Sequence, residues 1–199
     1  MITRRKFFRA LFAGSAMLCC SDVFASKNAL EEVASLMLGK KPGAAERSVS
    51  RKFPDEKKLS MQNIHTGESL NIQYYSDGVY DLEAIGRINY FLRCHYTDEV
   101  KEIDIGLLDL LCCIKDKIGH DKTIQIISGY RSDIYNHFLI SQGRNVSKNS
   151  LHLQGMAIDF TLEGIHTSTI SQIAKSFEAG GVGQYPEFVH IDVGRVRYW

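Results

Sequence analysis

Two short apolar runs near the C-terminal end constrain this chain more than any other feature: Met156-Ala157-Ile158-Asp159-Phe160-Thr161-Leu162 and Phe188-Val189-His190-Ile191-Asp192-Val193. Both have strand length and are rich in β-branched and aromatic residues. Successive side chains of a strand point to opposite faces, so Ala157, Asp159 and Thr161 share one face and Met156, Ile158 and Phe160 the other. By the same count Phe188, His190 and Asp192 oppose Val189, Ile191 and Val193. If the two strands pair, Asp159 and His190 lie on one side of a sheet whose other side is apolar. His152, in Ser150-Leu151-His152-Leu153-Gln154-Gly155, comes from the loop entering the first strand and completes a three-cornered set.

Any one of these residues alone would read as a hydrogen-bonded histidine or a turn carboxylate. Taken together, His152, Asp159 and His190 read as an open metal site, and mixed nitrogen and oxygen ligands suit zinc. Three protein ligands leave a fourth position for water, whose pKa zinc lowers to about 7. The other histidines, His65, His95, His120, His137 and His166, have no ligand-like spacing and read as surface or satisfied polar groups.

The N-terminus has a different texture. Thr3-Arg4-Arg5-Lys6-Phe7-Phe8-Arg9 precedes the apolar stretch Ala10 to Leu18, and Val23-Phe24-Ala25 follows. That order is the charged region, apolar region and small-residue cleavage site of an export signal. The paired arginines resemble the twin-arginine signal, an address read by the twin-arginine export machinery, which carries folded cargo. The apolar run is shorter than the roughly 20 residues that span a membrane, so no stable span is expected after cleavage. Cleavage after Ala25 would remove four basic residues and one acidic residue from totals of 24 and 23, leaving a net charge of −2. That balance points away from nucleic acid and from strongly anionic membranes. Cys94, Cys112 and Cys113 would remain; burial suits Cys112 and Cys113, and a bridge from Cys94 to one of them stays open.

Residues 26–58 are polar and read as a tether, with a short helix at Ala29 to Leu38. From Leu59 the pattern is that of a folded domain, 59–199. Glu68 to Tyr75 alternates as a strand, and Ser76-Asp77-Gly78 marks a turn. Asp81 caps a helix carrying Leu82, Ile85, Ile88, Phe91 and Leu92. A second helix covers Asp104 to Ile118, and Thr123 to Ile127 is a strand. Helices follow at Ser132 to Gln142 and Thr167 to Glu178, and Gly180-Gly181-Val182-Gly183 is a glycine-rich turn into the last strand. There is no βαβ rhythm, so the expected class is α+β with a small, mainly antiparallel sheet and flanking helices.

The string Ser150-x-His152-x-x-Gly155-x-Ala157-x-Asp159 with a later His190 resembles the zinc peptidases that include D-alanyl-D-alanine carboxypeptidases and dipeptidases. Ser128-Gly129-Tyr130-Arg131-Ser132 and the ending from Gly180 to Trp199 are more specifically similar to the exported murein endopeptidase branch of that family. The resemblance runs from about Leu59 to Trp199. It implies a hedgehog-like α+β peptidase fold, zinc on His152, Asp159 and His190, a periplasmic location and action on peptidoglycan peptides. For this branch it implies cleavage of the L,D cross-link between two diaminopimelate residues.

Relatives carry a carboxylate three residues before the last zinc histidine, the place of Glu187, which could shuttle a proton. Strict alternation puts Glu187 on the face opposite His190, unless Pro186 places it in a turn. Asp192 shares the face of His190 and is the rival base, or else the group that orients a ligand. Arg131 follows a strand in a polar turn and resembles the family arginine that contacts the substrate near the metal, against the alternative of a salt bridge at a strand end. Ser150 either bonds a ligand or substrate or shapes the turn. Tyr185, Tyr198 and Trp199 suit either a cleft or aromatic packing. The favoured reading is a zinc peptidoglycan endopeptidase, with D,D activity on D-alanyl bonds or a non-catalytic wall-binding module as its rivals.

Overall fold

Alternating burial sets the first strand. In β1 (Glu56–Asn63) the side chains of Lys57, Leu59, Met61 and Asn63 are buried, while those between them are exposed or half-buried. This computed structural model describes residues 56–119 and 121–199. The signal segment, residues 26–55 with their expected short helix, and His120 lie outside the described residues. Lys57 explains why β1 opens ahead of the boundary at 59 that composition suggests. Its ammonium lies 2.6 Å from Asp109 Oδ2, and the phenols of Tyr74 and Tyr80 donate to the same carboxylate at 3.1 and 2.7 Å. A buried carboxylate satisfied by a cation and two hydroxyls ties the strand to a helix, and removing one partner of such a pair costs about 3–5 kcal/mol.

The remaining strands are β2 (Ser69–Ser76), β3 (Val79–Tyr80), β4 (Ile124–Ser128), β5 (Ala157–Leu162), β6 (Gly181–Gln184), β7 (Val189–Asp192) and β8 (Arg197–Tyr198). They form one eight-stranded sheet in the order β3-β2-β1-β4-β5-β7-β6-β8. Only β1 with β4 and β6 with β8 run parallel; every other neighbouring pair is antiparallel. The α+β class and the antiparallel bias agree with expectation, but the sheet is not small. The added width comes from β1, where no strand was expected, from β6, which stands where a glycine-rich turn was expected, and from the two-residue strands β3 and β8.

The helices are α1 (Leu82–Phe91), α2 (Ile105–Ile118), α3 (Asp133–Ser141) and α4 (Thr167–Lys175). Asp81 caps its helix as expected, and Asp104 and Ser132, expected as the first residues of their helices, act as caps as well. Asp81 accepts from the Glu83 and Ala84 amides, Asp104 from Gly106 and Ser132 from Tyr135, each satisfying amides that the first turn leaves open. α4 ends at Lys175, short of the expected Glu178.

The core explains the placement of the site. Ile158, Phe160 and Leu162 of β5 and Val189 and Ile191 of β7 join Leu107, Leu108, Leu111 and Ile114 of α2 and Ile170 of α4 in one apolar cluster. Alternation therefore turns Asp159 and His190 away from that cluster. Cys94 and Cys112 are buried free thiols, so Cys94 carries no bridge. No helix among the described residues is long and apolar enough to cross a membrane.

Candidate active site

The site begins with strand register. β5 pairs antiparallel with β7, and Asp159 stands directly opposite His190. This brings Asp159 Oδ1 to 2.7 Å from His190 Nδ1. His152 reaches the same point from a 3-10 turn, Leu151–Gln154, where its own amide donates to the Ser150 hydroxyl at 3.4 Å. Its Nε2 lies 3.2 Å from both Asp159 Oδ1 and His190 Nδ1. The turn closes on Gly155 at φ 70°, where a Cβ would come within 2.2 Å of the Glu102 carbonyl oxygen. Only glycine meets both demands.

Each imidazole is oriented by what lies behind it. His152 Nδ1 is 2.8 Å from the Gly129 carbonyl, which can only accept, so Nδ1 carries the proton and Nε2 presents a lone pair. His190 Nε2 is 3.1 Å from Asp192 Oδ2 and donates to it, which leaves the Nδ1 lone pair facing Asp159 and His152. Two imidazole nitrogens and a carboxylate oxygen thus converge at 2.7–3.2 Å. Burial opposes a charge on His190, but Asp159 and Asp192 outweigh it and raise the imidazole pKa, so the centre attracts positive charge, either a proton on Nδ1 or a metal ion. Tetrahedral zinc with bonds near 2.0–2.1 Å requires donor separations of about 3.3 Å, so the spacing and donor types fit zinc. Among the described residues this is the one group of three metal-type side chains whose ligand atoms all lie within 4.8 Å of one another.

Electrostatics follow the same wiring. Burial works to raise the Asp159 carboxyl, but the His152 and His190 imidazoles outweigh it and hold it well below the usual carboxylate range. Burial likewise opposes ionisation of Asp192, and His190, the Gly194 and Gly181 amides and Arg197 overcome it. Asp192 is fully buried and heavily committed. Its Oδ1 accepts from Gly181 N, Gly194 N and Arg197 Nη1 at 3.0, 2.9 and 3.1 Å, and its Oδ2 from His190 Nε2 and Arg197 Nη2 at 3.1 and 2.7 Å. Gly181 owes its identity to this clamp, because a Cβ there would lie 2.3 Å from Asp192 Oδ2.

Arg131 is buried beside the cluster. Its Nη2 lies 3.7 Å from Asp159 Oδ2, and Nη1 donates to Asn136 Oδ1 at 3.3 Å. Its Nε is buried without a hydrogen-bond partner. Burial lowers the guanidinium pKa, and the Asp159 charge opposes that shift. Glu187 occupies the β6–β7 turn, where the Tyr185 amide donates to the Phe188 carbonyl at 3.0 Å, so strand alternation does not govern it. Glu187 is exposed and makes no hydrogen bond or ion pair among the described residues. Sequence reasoning did not find Arg197 or the structural purpose of the glycines, since both depend on close approach to Asp192 across the sheet.

A family model described as peptidoglycan L,D-endopeptidase MepK matches residues 51–199. The chain belongs to this M15 peptidase family, in its MepK branch. It is 42% identical over 148 residues to the peptidoglycan L,D-endopeptidase MepK of Escherichia coli K12, covering 73% of this chain and 81% of that protein. The Shigella flexneri protein of the same name shows the same identity and coverage. The probable peptidoglycan L,D-endopeptidase MepK of Haemophilus influenzae is 34% identical over 149 residues, covering 73% of this chain and 80% of the relative. No solved structure matches. The matched span contains every residue of the His152, Asp159 and His190 cluster, its Asp192 and Gly129 supports, Arg131 and Glu187.

Proposed function

We propose that this chain is a zinc-dependent peptidoglycan hydrolase that cleaves the L,D bond between two diaminopimelate residues of a 3-3 cross-link. It would act in the periplasm after export by the twin-arginine route. The observation that carries the metal reading is the convergence of the His152 and His190 lone pairs on Asp159 Oδ1, with both outer ring nitrogens pinned by acceptors. Support for the substrate and bond comes from the relatives, whose names state that activity. Support for export is the Arg4-Arg5 segment and the apolar run after it.

His152, Asp159 and His190 would hold a zinc ion, which would supply hydroxide at neutral pH and polarise a carbonyl. The Gly129 carbonyl and Asp192 would keep each imidazole in its ligating tautomer. Arg131 steadies the second oxygen of Asp159 and sets its positive charge beside a substrate oxygen as charge develops on it. Asp192 is a positioning residue, because its five hydrogen bonds leave it no capacity to take up a proton. Glu187 takes the proton of the attacking water and returns it to the leaving amine.

Incubating the purified zinc-loaded protein with defined muropeptides tests this reading. Release from 3-3 dimers is expected. Release from 4-3 dimers alone would replace the bond with a D-alanyl one, and binding without products would make the chain a wall-binding module. Full hydrolysis by His152→Ala would refute the zinc mechanism, and a Glu187→Gln variant with wild-type kcat would remove Glu187 as the base.

A further inference from the structure

One wall of the site is aromatic, and the proton shuttle does not use it. The Trp199 ring lies 5.4 Å from the His190 ring, tilted at 45°. It can lie there because Gly183, the cross-strand partner of His190, has no side chain; a Cβ at Gly183 would meet Trp199 at 2.6 Å. Trp199 Nε1 donates to the Tyr185 hydroxyl at 3.0 Å, and the Tyr185 ring stacks on Phe188 at 4.5 Å. The phenol thus stands beside Trp199, whose ring borders His190.

Hydrogen-bond inventory decides what that phenol can do. An indole N–H can only donate, so in this contact the Tyr185 oxygen accepts. The hydroxyl's own proton has no acceptor among the described residues. Were the contact only a packing device, the stack on Phe188 would suffice, and neither a hydrogen bond from an indole nor a glycine opposite His190 would be needed. We infer that Tyr185 is a further catalytic residue of this site, its hydroxyl aimed by Trp199 to donate to the substrate carbonyl oxygen. The hydroxyl proton is shared in this contact and never transferred, and the bond strengthens as the oxygen gains charge. This rests on the reading of the site as one that hydrolyses an amide.

The test compares wild type with Tyr185→Phe, which removes one oxygen from a partly exposed turn residue and leaves the ring stack intact. Three quantities are measured on the zinc-loaded proteins: zinc content, kcat and KM on the muropeptide the wild type cleaves, and calorimetric affinity for a phosphinate peptide. The phosphinate carries a charged tetrahedral centre in place of the scissile carbonyl. The expected result is full zinc content, KM within about threefold, and a loss of about 100-fold in kcat matched by a similar loss in phosphinate affinity. Trp199→Phe, which keeps a ring beside His190 but removes the N–H, should lose part of that factor, and the double variant should be no worse than Tyr185→Phe. Unchanged kcat and phosphinate affinity would overturn the inference. So would equal losses in muropeptide and phosphinate affinity, which would make the hydroxyl a ground-state contact. If the wild type left every muropeptide intact, the hydrolase reading would fall, and the phosphinate comparison would still decide the role of the hydroxyl.

Discussion

Replacing Asp192 by asparagine changes one oxygen to an NH2 group, and the wiring around it specifies the damage. Oδ1 receives two backbone amides and one guanidinium N–H, whereas Oδ2 receives His190 Nε2 and Arg197 Nη2. The amide oxygen of asparagine stays with the larger set, so its NH2 faces two donors. Arg197 is partly exposed and can turn to water, but His190 cannot, and it relieves the clash by moving its proton to Nδ1. That occupies the lone pair that faces the metal. Loss of the orienting carboxylate should weaken zinc binding about 10- to 100-fold. The lost charge-assisted hydrogen bonds should cost about 2 kcal/mol, or roughly 4–8 °C in Tm for a domain of this size. Competition with a chromophoric chelator measures the first effect and thermal unfolding of the metal-free protein the second. Wild-type zinc affinity in a folded Asp192→Asn protein would refute the tautomer argument.

Gly155→Ala places a Cβ within 2.2 Å of the Glu102 carbonyl at a positive φ, and should destabilise by about 3 kcal/mol while displacing His152, read by denaturant unfolding together with zinc content. Removing zinc with a chelator should lower Tm and shift the emission of Trp199, the single tryptophan of the sequence, because its ring adjoins His190; readdition should restore both, and an unresponsive spectrum would contradict that geometry. His95 is depressed to about 4 by burial, with the stacked His65 and Arg131 adding to the effect. Below its unfolded pKa of about 6.5 the unfolded chain binds the extra proton, so stability falls as pH drops from 6.5 towards 4. His95→Gln should remove about 1 kcal/mol of that fall after allowance for solvent screening, and superimposable stability curves from the two proteins would count against it.

Much of this site was legible in the sequence because it depends on local periodicity. Alternation alone put Asp159 and His190 on one face, and strand pairing then made them opposite neighbours. The helix starts were legible at Asp81, Asp104 and Ser132, whose side chains act on amides two or three residues away. Pro186 marks a turn in which Glu187 escapes alternation, and the structure places Glu187 between β6 and β7. What stayed hidden depends on empty space. Strand β6 has almost no hydrophobic pattern because Gly181 and Gly183 are defined by what they leave room for, the Asp192 clamp and the Trp199 ring. Likewise the sequence placed Asp192 beside His190 without deciding between a base and a support. That choice turns on donors from Gly181, Gly194 and Arg197, which only the tertiary structure brings together.

The outermost strands, β3 and β8, are each only two residues long. A wide sheet normally offers two long rows of open amides and carbonyls on which another chain can nucleate a growing aggregate. Here the two borders differ: β8 and the Trp199 backbone cover β6, whereas β3 pairs only with Tyr75 and Ser76 and leaves Ser69 to Gln73 of β2 without an outer strand partner among the described residues. The β2 border is therefore where a second chain would add to this sheet, and charged residues placed on its outer edge would oppose such growth.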